Sequence, residues 1–207
     1  MRQMETTIPS ILSELQAAVV GIAGAGGLGS NVAVALTRLK VGKLIIADFD
    51  VVELSNLTRQ QYYLDQIGKP KVEAMSENLR RIDQQADIEI HMVKLDAQNV
   101  PEIFAEADVI AECFDKPDQK QMLVETILAK MEKTIVVSAS GLAGYGRSND
   151  IATTQISRRH IMVGDGVSAA EDGEKLTASR VGLVAYHQAN AIVEVIVDQM
   201  QNRNLRS

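Results

Sequence analysis

The chain has 207 residues, 46% hydrophobic and 23% charged, which suits one globular domain over 1–207 that buries roughly 70% of its unfolded surface without staples. A formal charge of −6 argues against a broad nucleic-acid or acidic-membrane surface. A single cysteine excludes an internal disulfide and a cysteine-rich zinc site, and it fits a reducing cytoplasmic setting. No apolar run approaches the ~20 residues of a membrane helix, and the first ten residues lack a secretory pattern.

The N-terminal segment 1–16 reads as a docking helix. Ile8, Ile11, Leu12 and Leu15 recur at helical spacing, with Thr7 as cap and Pro9 in the first turn. "AAVVGIAG" is a continuous apolar run, the mark of a strand buried on both faces. "GLGSNVAVALTRLKV" is the first crossover helix, with Val32, Leu36 and Leu39 on one face. "KLIIADFD" predicts a strand and "KPKVEAMSENLRRID" a helix whose inner face carries Val72, Met75, Leu79 and Ile82. "DIEIHMVKL" alternates in polarity, as a strand near an edge does. A short helix from "VPEIFAEA", a strand from "DVIAECF", a helix from "DQKQMLVETILAKM" and a strand from "KTIVVSAS" come next. Region 141–180 breaks this rhythm: a glycine loop, "GLAGYGRSND", precedes two short strands at "IATTQIS" and "HIMV" and the polar run "AEDGEK". A long helix closes the chain. Strands alternating with helices predict an α/β fold: a doubly wound, mostly parallel, Rossmann-like sheet with a short antiparallel extension and a C-terminal helix.

Gly24, Gly26 and Gly29 fit G-x-G-x-x-G between a strand and a helix. The first glycine permits the sharp turn, the second lets backbone approach phosphate, and the third lets helix pack on strand. Asp48 stands 19 residues after Gly29, at the end of the next strand, where an acid holds ribose hydroxyls. NAD and ATP satisfy these features equally. The segment after Asp48 separates them. Arg59 and Lys71, with Asn56 before them, supply cations that hydride transfer does not need. Adenylation needs them, because a carboxylate must approach an anionic α-phosphate while pyrophosphate leaves.

The stretches "GAGGLGSN", "DFDVVELSNLTRQ", "GKPKVEA" and "ECFD" resemble, in order and spacing, the ThiF/MoeB/HesA family, relatives of the ubiquitin-activating enzymes. The match runs from about Val19 to Asp115. The resemblance implies ATP and Mg²⁺ as cofactors. It also implies a small ubiquitin-like sulfur carrier protein with a Gly-Gly tail as partner, and a homodimer. It assigns Asp48 to ribose, Asn56 and Arg59 to the phosphates, Lys71 to the triphosphate and Asp115 to the metal. Gly27 and Asp50 complete the expected nucleotide-binding set. Thiamine thiazole biosynthesis with a ThiS-like carrier is the setting the short members imply. A MoaD-like carrier, a small-molecule or tRNA-borne carboxylate, and a non-catalytic carrier-binding subunit are the alternatives.

The bland roles are a surface pairing of Arg59 with Glu53, an exposed Lys71, and helix caps at Asn56 and Asp115. Members with two Cys-x-x-Cys pairs bind zinc; this chain has no such pairs, so zinc is not expected. Cys113, inside an apolar strand, reads as a structural thiol. The family's N-terminal-arm arginine has no counterpart beyond Arg2, with Arg147 and Arg180 as substitutes. The glycine loop around Gly144 offers a passage for a thin tail. His91, His160 and His187 read as structural or surface groups.

Overall fold

The computed structural model describes residues 8–168 and 176–204. Thr7, Arg2 and the polar run at 170–175 lie outside them. Helix α1 (Ile8–Ala17) sinks Leu15 completely and packs on the last helix, as its apolar spacing requires. After it come β1 (Val19–Ala23), α2 (Gly27–Arg38), β2 (Lys43–Ala47), α3 (Lys71–Ile82), β3 (Asp87–His91), α4 (Val100–Ile103), β4 (Val109–Glu112), α5 (Pro117–Lys130) and β5 (Ile135–Ala139). The chain then forms β6 (Ala152–Ser157), β7 (His160–Gly164) and α6 (Ala178–Asn204).

The strands form one sheet in the order β3-β2-β1-β4-β5-β7-β6. Every pair is parallel except β6–β7, the antiparallel extension expected from the sequence. β3 is the edge that its alternating polarity predicted. Val20 and Ile22 of β1 are fully buried, because helices cover both faces. Leu36, Met75 and Ile192, from α2, α3 and α6, pack with Ile22 and Ile46 on one side. Phe104, Leu123 and Ile127 pack with Ile45 and Ile110 on the other. Each such side chain stabilises the fold by roughly 1.5–3 kcal/mol.

Three local expectations change. α4 is a single turn, because Phe104 leaves the helix to enter the core beside Gly21, where a Cβ would stand 2.7 Å from the ring. Leu39 comes after the end of α2 and is 39% exposed, since Lys40 turns the chain with φ of 58°. It therefore does not share the buried face of Val32 and Leu36. Cys113 lies one residue past β4 rather than inside it, though it is buried.

β1 and β4 are neighbours, yet the chain runs from β1 towards β2 and β3 on one side and from β4 towards β5 on the other. Ligands of doubly wound sheets bind at the carboxyl ends of strands that part in this way. In register, Ala23 faces Ala47 of β2 and Glu112 of β4. Gly24, Asp48 and Cys113 consequently leave the sheet at one level.

Candidate active site

Gly24 turns the chain with φ of +96°, and its N–H donates to the Ala47 carbonyl at 2.9 Å. A Cβ there would lie 3.1 Å from the Cys113 carbonyl oxygen. At Gly29 a Cβ would come 1.8 Å from the Gly24 carbonyl oxygen, so this glycine is what allows α2 to sit on β1. Gly26 is different. The nearest atom to its Cβ position is Gln60 Nε2, at an ordinary contact distance of 3.8 Å. α2 starts at Gly27 with its N-terminal amides and positive dipole end at this rim.

Asp48 is buried, and its carboxylate ties the turn to the next loop. It accepts the Ala25 N–H at 2.6 Å through one oxygen and the Asp50 N–H at 2.8 Å through the other. A carboxylate has about four acceptor sites, so capacity remains for ribose hydroxyls. Tyr62, which the sequence did not single out, donates its hydroxyl to the Ala25 carbonyl at 2.7 Å. Burial, with Asp48 and Asp50 adding to it, pushes this phenol far above its ordinary range, so it acts as a fixed neutral donor. Lys71 is not an exposed first-turn lysine. Its side chain is 7% exposed and its Nζ lies 2.8 Å from Asp50 Oδ2.

Asn56 does cap a short 3₁₀ turn (Leu54–Thr58): its Oδ1 accepts the Glu53 N–H at 3.0 Å. Its amide nitrogen has only a 3.5 Å approach to Ser55 Oγ, which leaves N–H groups for another acceptor. Arg59 does not pair with Glu53. Its stem crosses Gly27, with Cγ 3.7 Å from that Cβ position, and among the described residues its guanidinium touches only Ser55 O at 3.3 Å and Thr58 Oγ1 at 3.4 Å. A polar clamp holds this segment on α2. Asn31 Nδ2 donates to the Gly27 carbonyl at 2.7 Å and the Arg59 carbonyl at 3.2 Å, while Gln61 donates to Ser30 Oγ and Asn31 Oδ1. The signal for the clamp was present in "GLGSNVAVAL", where two polar residues interrupt a buried helix face.

Asp115 is exposed on the same rim, three residues past β4, and it does not cap α5. Beneath it lies a pair that sequence reasoning missed. Glu112, fully buried, receives Lys120 Nζ at 3.0 Å on each oxygen. Burial pushes the Glu112 carboxyl up, and Lys120 and the Phe114 amide oppose that shift. Gln188 of α6 donates to the Glu112 and Val137 carbonyls at 2.9 and 2.8 Å. Burial also raises the Cys113 thiol, as a structural role demands.

Arg180 is already committed to partners of its own. It is buried against Asp165 at 2.5 Å and donates to the Gly146 and Arg147 carbonyls. The glycine loop folds back on this crossover: a Cβ at Gly141 would meet Asp165 Oδ1, and one at Gly164 would meet the Ser140 carbonyl. Gly144 has φ of +81°, and its carbonyl accepts the Thr177 hydroxyl at 2.8 Å. His91 lies 2.6 Å from Glu89 on the same strand face, and His160 pairs with Ser138 at 2.8 Å. Among the described residues no group of three or more His, Cys, Asp or Glu side chains could hold a metal. None of the helices among them is long and apolar enough to cross a membrane.

The sequence is 38% identical over 135 residues to an adenylyltransferase and sulfurtransferase uba4 of Aspergillus terreus, covering 65% of this chain and 28% of that protein. It is 39% identical over 102 residues to an adenylyltransferase and sulfurtransferase MOCS3 of Caenorhabditis briggsae, covering 49% of this chain and 25% of that protein. The chain thus spans under a third of the length of these relatives. In shape it matches the crystal structure of E. coli tRNA N6-threonylcarbamoyladenosine dehydratase, TcdA, in complex with ATP. The TM-score is 0.84, with 18% identity and coverage of 93% of this chain and 90% of that one. It also matches E. coli MccB with ATP, at TM-score 0.68 and 23% identity over 90% of this chain and 57% of that one. The ThiF family model matches residues 1–206, and the chain belongs to the ThiF family.

Proposed function

We propose that the chain binds ATP on the β1/β4 rim and adenylates the C-terminal glycine carboxylate of a small ubiquitin-like carrier protein, releasing pyrophosphate. One observation carries this reading. The rim joins the glycine turn to Arg59, whose stem crosses Gly27 and whose guanidinium has no carboxylate partner among the described residues. A hydride-transfer site has no use for such a cation; a crowded anionic transition state does. The relatives' shared description as adenylyltransferases supports the same chemistry.

In this reading the amides at the start of α2 face the phosphates, and Asp48, already locked to Ala25, orients the ribose. Asn56 donates its remaining N–H groups and Arg59 its guanidinium to phosphate oxygens. Lys71, held by Asp50, faces the leaving pyrophosphate. The carrier carboxylate oxygen attacks the α-phosphorus, and the bond from that phosphorus to the bridging oxygen breaks. Carrier–CO–AMP and pyrophosphate result, with no enzyme nucleophile. The donor set also fits Mg²⁺, because Asp115 is a single exposed carboxylate with no partner among the described residues. Asp115 would hold the ion, which would supply neutralisation of the charge that develops as pyrophosphate leaves.

The finer parts of the proposal are a ThiS-like carrier in thiazole synthesis and a homodimer. A tRNA-borne carboxylate is the competing substrate, which the likeness to TcdA in shape brings forward and the net charge of −6 disfavours. Exchange of radioactive pyrophosphate into ATP tests the chemistry. It should require a diglycine-tailed carrier and vanish in Arg59→Ala and Lys71→Ala. Exchange surviving both changes, or needing tRNA instead of carrier, refutes this assignment.

A further inference from the structure

We propose that Glu112 and Lys120 are positioning residues whose ion pair, with its carboxylate fully buried and its lysine partly so, fixes the 113–115 segment and so aims the Asp115 carboxylate at the metal. The inference rests on the reading of Asp115 as the metal's carboxylate.

Lys120 Nζ has three donors, and all are used: both oxygens of Glu112 and the Ala139 carbonyl, each at 3.0 Å. Glu112 Oε1 also accepts the Phe114 N–H at 2.8 Å. On the other side, Gln188 pins the Glu112 carbonyl and the Cys113 N–H donates to the Ala23 carbonyl at 3.0 Å. The backbone is therefore held at residues 112, 113 and 114, and the next side chain is Asp115. One charge pair ties the end of β4, the end of β5 and the first turn of α5 together at the switch point.

Stability is a poor reason for this arrangement. Replacing a buried ion pair by apolar groups of equal volume is often neutral or stabilising. Directional fixing is a better one. A carboxylate that accepts a backbone N–H two residues on sets the path of the chain there, as an apolar side chain does not. Residues that orient a metal ligand commonly change metal affinity by about 10–100-fold when altered.

The test uses Mn²⁺ as the metal probe and α,β-methylene-ATP as the nucleotide, with free Mn²⁺ read by electron paramagnetic resonance. Glu112→Gln keeps the shape and removes the charge. It should weaken Mn²⁺ binding to the enzyme–nucleotide complex at least about tenfold, while affinity for the metal-free nucleotide holds. Glu112→Asp retracts the carboxylate from the Phe114 amide and should act the same way, which decides the matter should the first variant not fold. Adding Lys120→Arg to Glu112→Asp lets a longer cation reach the shorter acid and should restore Mn²⁺ affinity. A purely structural pair predicts a lower melting temperature with unchanged Mn²⁺ affinity, and that outcome overturns the proposal. Asp115→Asn runs alongside. If it binds Mn²⁺ like the parent, the reading of Asp115 itself fails. If it is weakened and folded Glu112 variants are not, only the positioning role fails.

Discussion

Substituting alanine separately at Gly26 and Gly29 separates what the glycine turn does for folding from what it does for a ligand. At Gly29 the new Cβ stands 1.8 Å from the Gly24 carbonyl oxygen, whereas ordinary contact begins near 3.4 Å, so α2 must retreat by about 1.6 Å. Such overpacking costs about 1–3 kcal/mol of stability. The retreat also pulls the first amides of α2 away from a bound phosphate. Hydrogen bonds to charged groups are worth about 1.5–3 kcal/mol each, so losing two costs roughly 3–6 kcal/mol, on the order of 10²–10⁴ in Kd. At Gly26 the nearest atom is 3.8 Å away, so a methyl group meets no close neighbour and costs stability only as a poorer start to α2. The only object it can obstruct is a ligand lying on the turn. Urea unfolding and calorimetric titration with ATP·Mg²⁺ give the two quantities. Gly29→Ala should lose both; Gly26→Ala should keep its stability within about 1 kcal/mol and lose ATP affinity at least about tenfold. Unimpaired ATP binding by Gly26→Ala refutes the placement of phosphates over this turn.

The Asp50–Lys71 pair should respond asymmetrically, since Lys71 is 7% exposed and Asp50 is 49% exposed. Asp50→Asn strands a buried ammonium, at a cost of roughly 3–5 kcal/mol; Lys71→Met leaves its partner in water and should cost far less, and equal losses in urea unfolding contradict this. Burial alone would raise the Asp165 carboxyl, but the Ser168 and Val167 amides, the Ser168 hydroxyl and Arg180 outweigh it and hold the group at about 2. Between pH 3.8 and 2 the unfolded chain binds more protons than the native one, so this contribution is complete above pH 3.8 and disappears as pH falls through 2. Asp165→Asn should remove roughly 2 kcal/mol of it at neutral pH and flatten the acid limb of the stability profile, and an unchanged limb counts against the assignment. Cys113, buried with its thiol raised, should resist N-ethylmaleimide in the native protein and react once unfolded; rapid native labelling contradicts a structural thiol.

Much of this architecture was legible because the sheet is buried on both faces. Continuous apolar runs then have no other meaning, and the period-2 pattern of "DIEIH" marks the edge strand by contrast. The geometry of the candidate site was legible where backbone contacts force a residue type, as at Gly24 and Gly29. It was less so where three-dimensional neighbours decide. Lys71 reads as a first-turn lysine on a helix, yet in the fold it is buried and paired with Asp50, whose carbonyl also accepts its N–H. Tyr62 lies 37 positions from the Ala25 carbonyl it supports, and Gln188 lies 76 from Glu112. No spacing rule reaches that far. Nor did spacing show that Arg180 is committed to Asp165.

The charges at the rim sort themselves by whether they already have a partner. Asp48 is engaged by two backbone amides, Asp50 by Lys71, and Glu112 by Lys120. Arg59 meets only neutral oxygens, and Asp115 meets no partner among the described residues. Neither charge is neutralised by a partner of the opposite sign among the described residues, and an exposed unpaired charge adds little to stability. They make sense as halves of two different contacts: the guanidinium for phosphate oxygens, the carboxylate for the cation that accompanies them. A bound nucleotide would then complete the charge balance that the rim's own residues leave open. Arg59→Ala and Asp115→Asn should therefore be nearly neutral in urea unfolding without nucleotide, and each should abolish most of the stabilisation that ATP·Mg²⁺ confers on the parent. If either change destabilises the nucleotide-free protein as much as it weakens that effect, its charge belongs to the fold and not to the ligand.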